Sequence, residues 1–367
     1  MMKNFTKILL AALLVVSFAA SAQDEEESST PVLSISGSVD AYFRSNLSPT
    51  NYGNQQAPGS SFANQNGFAL GMANVIIGLE GEKTGFVADL VYGPRGTDAV
   101  FGATTASSSI VNQLYAYWMV SDAVTLSMGN FNTYLGYEVI SPTANFNYST
   151  SYMFSYGPFS HSGVKADFSL GEASLMVGVF NPTDMTDFNP VDTYTIGAQV
   201  GFGGAYLNLL YGDQDGSMAY IDGDGAVVDN SATFQIDLTA GWDLSDALYF
   251  GVNATYNTTG SNLDGVDPFG FYGAAGYLQY SLSDAFALGT RIEYFGEFEG
   301  GAGAIGGYDA DGKASVVDVT LTAQYTVGGL TFIPELRLDA ASEDVFSDGS
   351  EATGSMSSFV LAAVYAF

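Results

Sequence analysis

The stretch ATFQIDLTAGWDLSDALYFGVNATY (Ala232 to Tyr256) decides how the whole chain is read. Phe234, Ile236, Leu238, Ala240 and Trp242 share one face of its first half, and Thr233, Gln235, Asp237, Thr239 and Gly241 share the other. After Ser245-Asp246 the pattern resumes, with Leu248, Phe250, Val252, Ala254 and Tyr256 opposing Tyr249, Gly251, Asn253 and Thr255. Period two means a strand with one face in an apolar medium and the other in water. A two-residue break between two such runs reads as a tight hairpin.

The same unit recurs along the chain. In SVVDVTLTAQY, Val317, Val319, Leu321, Ala323 and Tyr325 oppose Asp318, Thr320, Thr322 and Gln324. Sixteen such runs begin near Val32, Phe68, Gly85, Ser109, Ala123, His161, Glu172, Asp192, Gly204, Ala232, Asp246, Phe271, Asp284, Ala314, Gly329 and Ser357. Tight breaks fall at Glu82-Lys83, Ser121-Asp122, Gly171-Glu172, Gly203-Gly204, Ser245-Asp246, Ser283-Asp284 and Gly328-Gly329. Between successive tight breaks lies a long polar connection of about 10 to 27 residues, the arrangement of outer-membrane barrels. A soluble sandwich has no reason to keep that alternation. The expected fold is therefore all-β: a transmembrane antiparallel β-barrel of about 16 strands, with long external loops and short periplasmic turns.

Aromatic positions agree with a membrane. Trp118, Trp242, Tyr280, Tyr325 and Phe367 each precede a tight turn or the chain end, and Tyr92, Tyr211, Tyr256 and Tyr294 stand near the long connections. Two interfacial girdles would place them so. The last run, SSFVLAAVYAF, puts Phe359, Leu361, Ala363, Tyr365 and Phe367 on one face, so the chain ends inside a strand. That strand is expected to close the barrel against the run beginning at Val32, leaving no free edge. Pro334 interrupts the fifteenth run and has no N–H to donate, so a bulge or a different register from the one the alternation gives is expected there.

Composition bounds the rest. The chain has 39 acids against nine Lys and Arg, a formal net charge of −30, yet carries 26 Phe and 23 Tyr. Disordered acidic chains are poor in aromatics, so this one folds. An acidic surface excludes nucleic acid as a partner. The absence of cysteine removes disulfides, thiol catalysis and Cys-ligated metals. Lys3 and Lys7, the apolar run Ile8–Ala20 and Ala20-Ser21-Ala22 read as a signal peptide over residues 1–22. A short acidic lead (23–31) and the barrel (32–367) follow. No later stretch approaches the roughly 18 apolar residues of a membrane helix. The expected destination is the outer membrane of a Gram-negative bacterium, after export, with outer-membrane lipid around the barrel.

One segment carries a resemblance. In GNFNTYLGYEVISPTANFNYSTSYMFSYGPFSHSG (Gly129 to Gly163), Gly129, Phe131, Gly136, Tyr137 and Glu138, then Asn147, Tyr148 and Ser149, then Pro158, Phe159, His161 and Gly163 stand out. The segment resembles the "Putative beta-barrel porin-2, OmpL-like" family of Gram-negative bacteria. That resemblance implies an outer-membrane porin. The family often carries a basic residue after the Tyr-Ser pair. Thr150 stands there, so no basic constriction residue is carried over. The longest connection, Thr133 to Phe159, is the candidate to fold inward and narrow the channel, with Tyr137, Glu138, Asn147 and Tyr148 as constriction residues.

Other chemistry was weighed against this. His161 is the sole histidine and lies between Ser160 and Ser162. Neighbours on a strand point to opposite faces, so a hydrolytic dyad is disfavoured. GAGAIG (Gly301 to Gly306) matches G-x-G-x-x-G without the strand-to-helix junction a dinucleotide needs. The clusters DQDG (213–216), DGDG (222–225) and DADG (309–312) offer oxygen ligands for Ca²⁺, but none completes an EF-hand. Solvated acidic loops and no cofactor are the preferred reading. By the alternation, Asp40, Arg44, Asp89, Lys165, Asp167, Asp237, Arg291, Glu293, Asp318, Glu335, Arg337 and Asp339 point inward as pore-lining residues. Eight acids against four bases favour cations. The expected function is passive diffusion of small hydrophilic solutes or ions, without enzymatic activity. A non-conducting structural or adhesive barrel is the alternative, and an outer-membrane hydrolase a weaker one. The barrel-assembly machinery is an expected partner, since a terminal Phe resembles its recognition signal. Many barrels of this size form homotrimers, an assembly the sequence leaves open.

Overall fold

The computed structural model describes residues 30–49, 56–214, 220–221, 227–228, 232–260, 267–349 and 351–367. The expected signal peptide (1–22), most of the acidic lead (23–31), the DGDG cluster and the second half of DQDG lie outside the described residues.

Each alternating run forms a strand. In chain order these are β1 (Val32–Ser48), β2 (Gly67–Glu80), β3 (Thr84–Tyr92), β4 (Val111–Ser121), β5 (Val124–Asn132), β6 (Ser160–Leu170), β7 (Ala173–Phe180), β8 (Thr195–Phe202) and β9 (Ala205–Gly212). After the two-residue pieces β10 (Tyr220–Ile221) and β11 (Val227–Val228) come β12 (Thr233–Ser245), β13 (Leu248–Thr259), β14 (Phe269–Ser283), β15 (Phe286–Phe298), β16 (Ala314–Val327) and β17 (Leu330–Ala341). The short β18 (Phe346–Asp348) and β19 (Glu351–Thr353) precede the final β20 (Ser355–Ala366). Sixteen of them close into one antiparallel barrel, while β10–β11 and β18–β19 form two small hairpins in the long connections. Two short helices, α1 (Pro94–Ala99) and α2 (Tyr152–Tyr156), also stand in long connections.

The seam lies where the alternation predicts. β1 pairs with β20 from Ser38↔Ala366 to Ser48↔Ser357. Beyond it, Gly37 and Phe367 exchange both backbone hydrogen bonds, each 3.1 Å. The chain end is thus held by the ladder, and the barrel has no open edge.

The short turns use two devices. Three are Ser-Asp-Ala sequences, in which the hydroxyls of Ser121, Ser245 and Ser283 accept the N–H of Ala123, Ala247 and Ala285. Each of the three hairpins shows the same register shift just before that serine. At Gly203-Gly204 both residues have positive φ (58° and 81°), which only glycine adopts at little cost in a two-residue hairpin.

Pro334 departs from expectation. The β16–β17 ladder is interrupted between Thr322↔Glu335 and Tyr325↔Phe332, but its offset is the same on both sides. No bulge forms. Pro334 stays in register with Leu361 of β20, and the missing donor costs the β16 side part of its ladder. A bulge does occur on β2, where Gly71 and Met72 together oppose Asp40.

The outward face is apolar around the barrel. Leu70, Leu114, Ile196, Leu238, Leu278, Leu321 and Leu361 are all exposed, and Phe68 is 91% exposed. A soluble protein would not leave such a belt in water. Trp242, Tyr280, Tyr325 and Phe367 point outward near the turn end, exposed, with Trp118 half-buried beside the β4–β5 turn. Tyr92, Tyr211, Tyr256 and Tyr294 are exposed on the outward face toward the loop end.

Candidate functional site: the loop-filled barrel interior

A barrel of sixteen strands is too wide for its own inward side chains to fill. Here the connection between β5 and β6 occupies much of the bore. Thr133 and Phe159 close its base with a backbone hydrogen bond of 2.9 Å. The segment then follows the inner wall. The Tyr134 hydroxyl donates to the Leu209 carbonyl (2.7 Å) and the Gly136 N–H to Asp237 (2.9 Å). Tyr137 stacks on Tyr277 with ring centroids 4.1 Å apart, and its hydroxyl donates to that of Tyr249 (2.9 Å). Glu138 meets Arg291 at 2.8 Å. The chain next reaches the β2–β3 wall, where Ile140 packs in a cluster with Met72 and Val91. It returns so that Asn147 donates to Thr322 (2.6 Å).

Glycines on the inner wall make room for these groups. A Cβ at Gly197, Gly251, Gly273 or Gly289 would run into Tyr134, Tyr137, Met153 or Phe146 respectively. The wall is flat where the loop carries its bulk.

The strongest anchoring lies on β15–β17. Cross-strand pairing sets Glu293, Asp318 and Asp339 in one row and Arg291, Thr320 and Arg337 in the next. Three carboxylates directly opposite one another repel. The arginines offset this: Arg291 Nε lies 3.1 Å from Asp318, Arg337 Nε 2.6 Å from Asp318, and Arg337 Nη2 2.8 Å from Asp339. The loop backbone supplies the rest. Glu293 accepts the N–H groups of Tyr152 (2.8 Å) and Met153 (2.7 Å). Glu335 accepts those of Tyr148 (2.6 Å) and Ser149 (3.0 Å), with the Ser149 hydroxyl at 2.9 Å. The guanidiniums of Arg291 and Arg337 donate to the carbonyls of Ser149 (2.7 Å) and Thr150 (2.8 Å). Every one of these wall charges is buried, and buried charges are retained only when paired and hydrogen-bonded.

The remaining inward residues divide by height and partner. Asp40 accepts the Met72 N–H (3.0 Å) and the Tyr148 hydroxyl. Arg44 binds the side chains of Asn46 (2.6 Å) and Asn66 (2.8 Å) near the loop end. Asp89 accepts from Asn112 (2.7 Å). Lys165 and Asp167 pair with each other at 2.9 Å and are partly exposed, away from the loop. Asp237 accepts from Asn208 (2.8 Å) and Asn253 (2.7 Å) besides Gly136.

Two anchors have no counterpart in the alternation. Arg95 of α1 donates to the carbonyls of Ile140 (2.9 Å) and Tyr148 (3.2 Å) and lies 4.4 Å over the Phe62 ring. Asp184, between β7 and β8, accepts the N–H groups of Phe159 and Ser160, both at 2.8 Å. Burial pushes its carboxyl up to about 7, although those two donors pull the other way. Burial also holds the hydroxyls of Tyr134, Tyr137 and Tyr148 above the usual tyrosine range, keeping them as donors.

The interior does not assemble a Ser–His pair. His161 Nε2 lies 2.9 Å from the Thr133 hydroxyl, and the ring sits between Tyr134 and Phe180. The Ser162 hydroxyl donates instead to Asn130 and to the Thr186 carbonyl, each 2.9 Å. In the DADG turn, Asp309 accepts the N–H groups of Asp311 and Lys313, both at 2.9 Å. Among the described residues, no group of three or more His, Cys, Asp or Glu is placed to hold a metal.

An apolar outward belt, an interior of buried charged and polar wall residues beside apolar clusters, eight long loops against seven turns and an inserted loop define an outer-membrane β-barrel of the porin class. The chain belongs to the family described as "Putative beta-barrel porin-2, OmpL-like", which it matches over residues 32–367. No curated protein matches it. Solved structures similar to it include the anion-selective porin from Comamonas acidovorans (12% identity, TM-score 0.58, covering 92% of this chain and all of that one). Pseudomonas putida OprB is similar at 12% identity and TM-score 0.57, over 91% of this chain and 94% of that one. The trimer form of OmpT, an outer membrane protein of Vibrio cholerae, is similar at 11% identity and TM-score 0.56, over 92% and 100%. At these identities the likeness is one of fold.

Proposed function

We propose that this chain is a passive diffusion channel of the outer membrane for small hydrophilic solutes or ions, cation-preferring, with loop 133–159 as its constriction. No reaction and no bound cofactor belong to this reading. The observation that carries it is the sixteen-strand barrel whose bore holds buried charged and polar wall residues bound to an inserted loop, alongside apolar clusters, with cavities left between them. Cation preference draws support from the excess of inward acids and from the −30 formal charge. In this reading residues 1–22 direct export, the barrel-assembly machinery reads the Phe367 end, and the outward aromatics form the two interfacial girdles. The homotrimer belongs to it as well, by likeness to a structure solved as a trimer.

A plugged, non-conducting barrel is the competing reading, and the burial of Asp237 and its neighbours favours it. Liposome swelling with sugars of increasing size separates the two. Swelling with a size cut-off is expected, and none at any size overturns the channel. Deleting Gly136 to Gly157 should raise single-channel conductance; an unchanged conductance removes the loop from the constriction.

A further inference from the structure

One of the twelve inward charges, Asp237, is buried in the wall between two cavities. A cavity of about 330 Å³ at the loop end is lined on the wall by Leu210, Thr233, Gln235 and Asn257. A second, of about 470 Å³ toward the turn end, is lined by Tyr206, Thr239 and Tyr249 of the same three strands, and by Gln199. Between them, on β9, β12 and β13, lies a layer in which Asp237 stands opposite Asn208 and Thr255 and accepts the side-chain amides of Asn208 and of Asn253, the latter opposite Thr239. Across from it stands the loop segment around Gly136, whose N–H donates to Asp237. The arginines and carboxylates of β15–β17 lie on another part of the wall, joined to one another and to residues 138–153.

We infer that the solute path runs along β9, β12 and β13, and that Asp237 is its specificity-determining residue for cations. This rests on the channel reading above. The loop is held to this wall by few bonds, chiefly those of Tyr134, Gly136 and Tyr137, and by no ion pair. On the β15 side, by contrast, Glu138 is ion-paired to Arg291 and several backbone groups are bound. Movement of residues 134–137 away from the wall joins the two cavities. The Asp237 carboxylate then keeps the two amide donors of Asn208 and Asn253 and faces the path in an otherwise uncharged layer. A lone carboxylate among neutral amides and hydroxyls attracts a partly dehydrated cation and repels an anion, while neutral polyhydroxylated solutes meet matching donors and acceptors.

Reversal potentials of single channels in a KCl gradient test this with variants of opposite sign. Asp237→Asn should abolish most of the wild-type cation preference, and Asn253→Asp, which adds a second carboxylate to the layer, should increase it. Asp122→Asn, at an exposed acid in the β4–β5 turn outside the bore, should leave the preference unchanged. A conducting wild type whose preference survives in Asp237→Asn, or is unmoved in Asn253→Asp, overturns the assignment while leaving the channel intact. A correctly inserted wild type that conducts nothing overturns the channel and the assignment with it.

Discussion

Replacing Glu335 with alanine attacks the point where the loop is most densely held. Its two carboxylate oxygens accept the Tyr148 N–H at 2.6 Å, the Ser149 N–H at 3.0 Å and the Ser149 hydroxyl at 2.9 Å. Net, a hydrogen bond is worth about 1 kcal/mol, more when the acceptor is charged. Water can enter a barrel bore and re-satisfy the freed donors, which keeps the loss near about 3 kcal/mol instead of the larger cost of orphaned groups in a dry core. At about 1.4 kcal/mol per factor of ten, the docking equilibrium of residues 147–150 shifts on the order of a hundredfold. Glu335→Gln provides the control. Its amide oxygen can still accept both N–H groups and its NH₂ can donate to the Ser149 hydroxyl, so only the charge is lost. In planar bilayers, Glu335→Ala should show larger and more scattered conductance steps, with Glu335→Gln close to wild type. Amide exchange at Tyr148 and Ser149 should accelerate only in the alanine variant. Unchanged steps together with protected amides in Glu335→Ala would refute the anchoring role.

Three further outcomes follow from the same geometry. Removing Phe367 deletes both hydrogen bonds to Gly37 at the seam, so insertion into vesicles, read by heat-modifiable gel mobility, should fall before conductance of the inserted fraction changes. Because the folded-state value of Asp184 is raised from 3.8 to about 7, its contribution to the loop base is fully present below about pH 4 and is lost as pH rises through 7. Exchange of the Phe159 and Ser160 amides, corrected for the intrinsic rate, should therefore quicken between pH 4 and 7, and Asp184→Asn should flatten that dependence. Gly251→Ala places a methyl against the Tyr137 ring, which must shift and break its bond to the Tyr249 hydroxyl. The expected cost is about 1 kcal/mol, read as a lowered melting temperature of loop ordering with the barrel intact.

The wall was legible in the sequence because each strand reports its own environment at period two, with no need to know its neighbours. All sixteen barrel strands and the seam at Phe367 come from that signal alone. The alternation also turns Glu335 and Arg291 inward, but it is blind to what they touch. Glu335 binds residues 186 and 187 positions away, in a loop that has no period to read. Arg95 escaped notice for the same reason, since it lies in an aperiodic connection and on a helix of six residues. Gly251 looked like one more residue of a wet face, and only the loop packed on it gives the missing side chain a purpose. The β10–β11 and β18–β19 hairpins, with strands of two or three residues, are too short for any alternation to show. Pro334 misled because a missing donor suggests a bulge, whereas a ladder can simply skip a rung and keep its offset.

The placement of charge around the bore has its own logic. A row of Glu293, Asp318 and Asp339 without partners would repel itself, and two arginines leave it short of neutrality once Glu138 and Glu335 are counted. Loop N–H groups make up the difference, since donors aimed at a carboxylate favour its charged form without adding a charge of their own. The excess of acid on β15–β17 is therefore what the loop backbone binds to, and a neutral wall there would leave those N–H groups unmatched. On β9, β12 and β13 the wall instead carries amides, hydroxyls and one acid, and the loop touches it through few groups. A loop clamped on one side and lightly held on the other can yield only by leaving the lightly held wall. That asymmetry ties the anchoring charges and the Asp237 layer into one device, in which the first set fixes where the second can open.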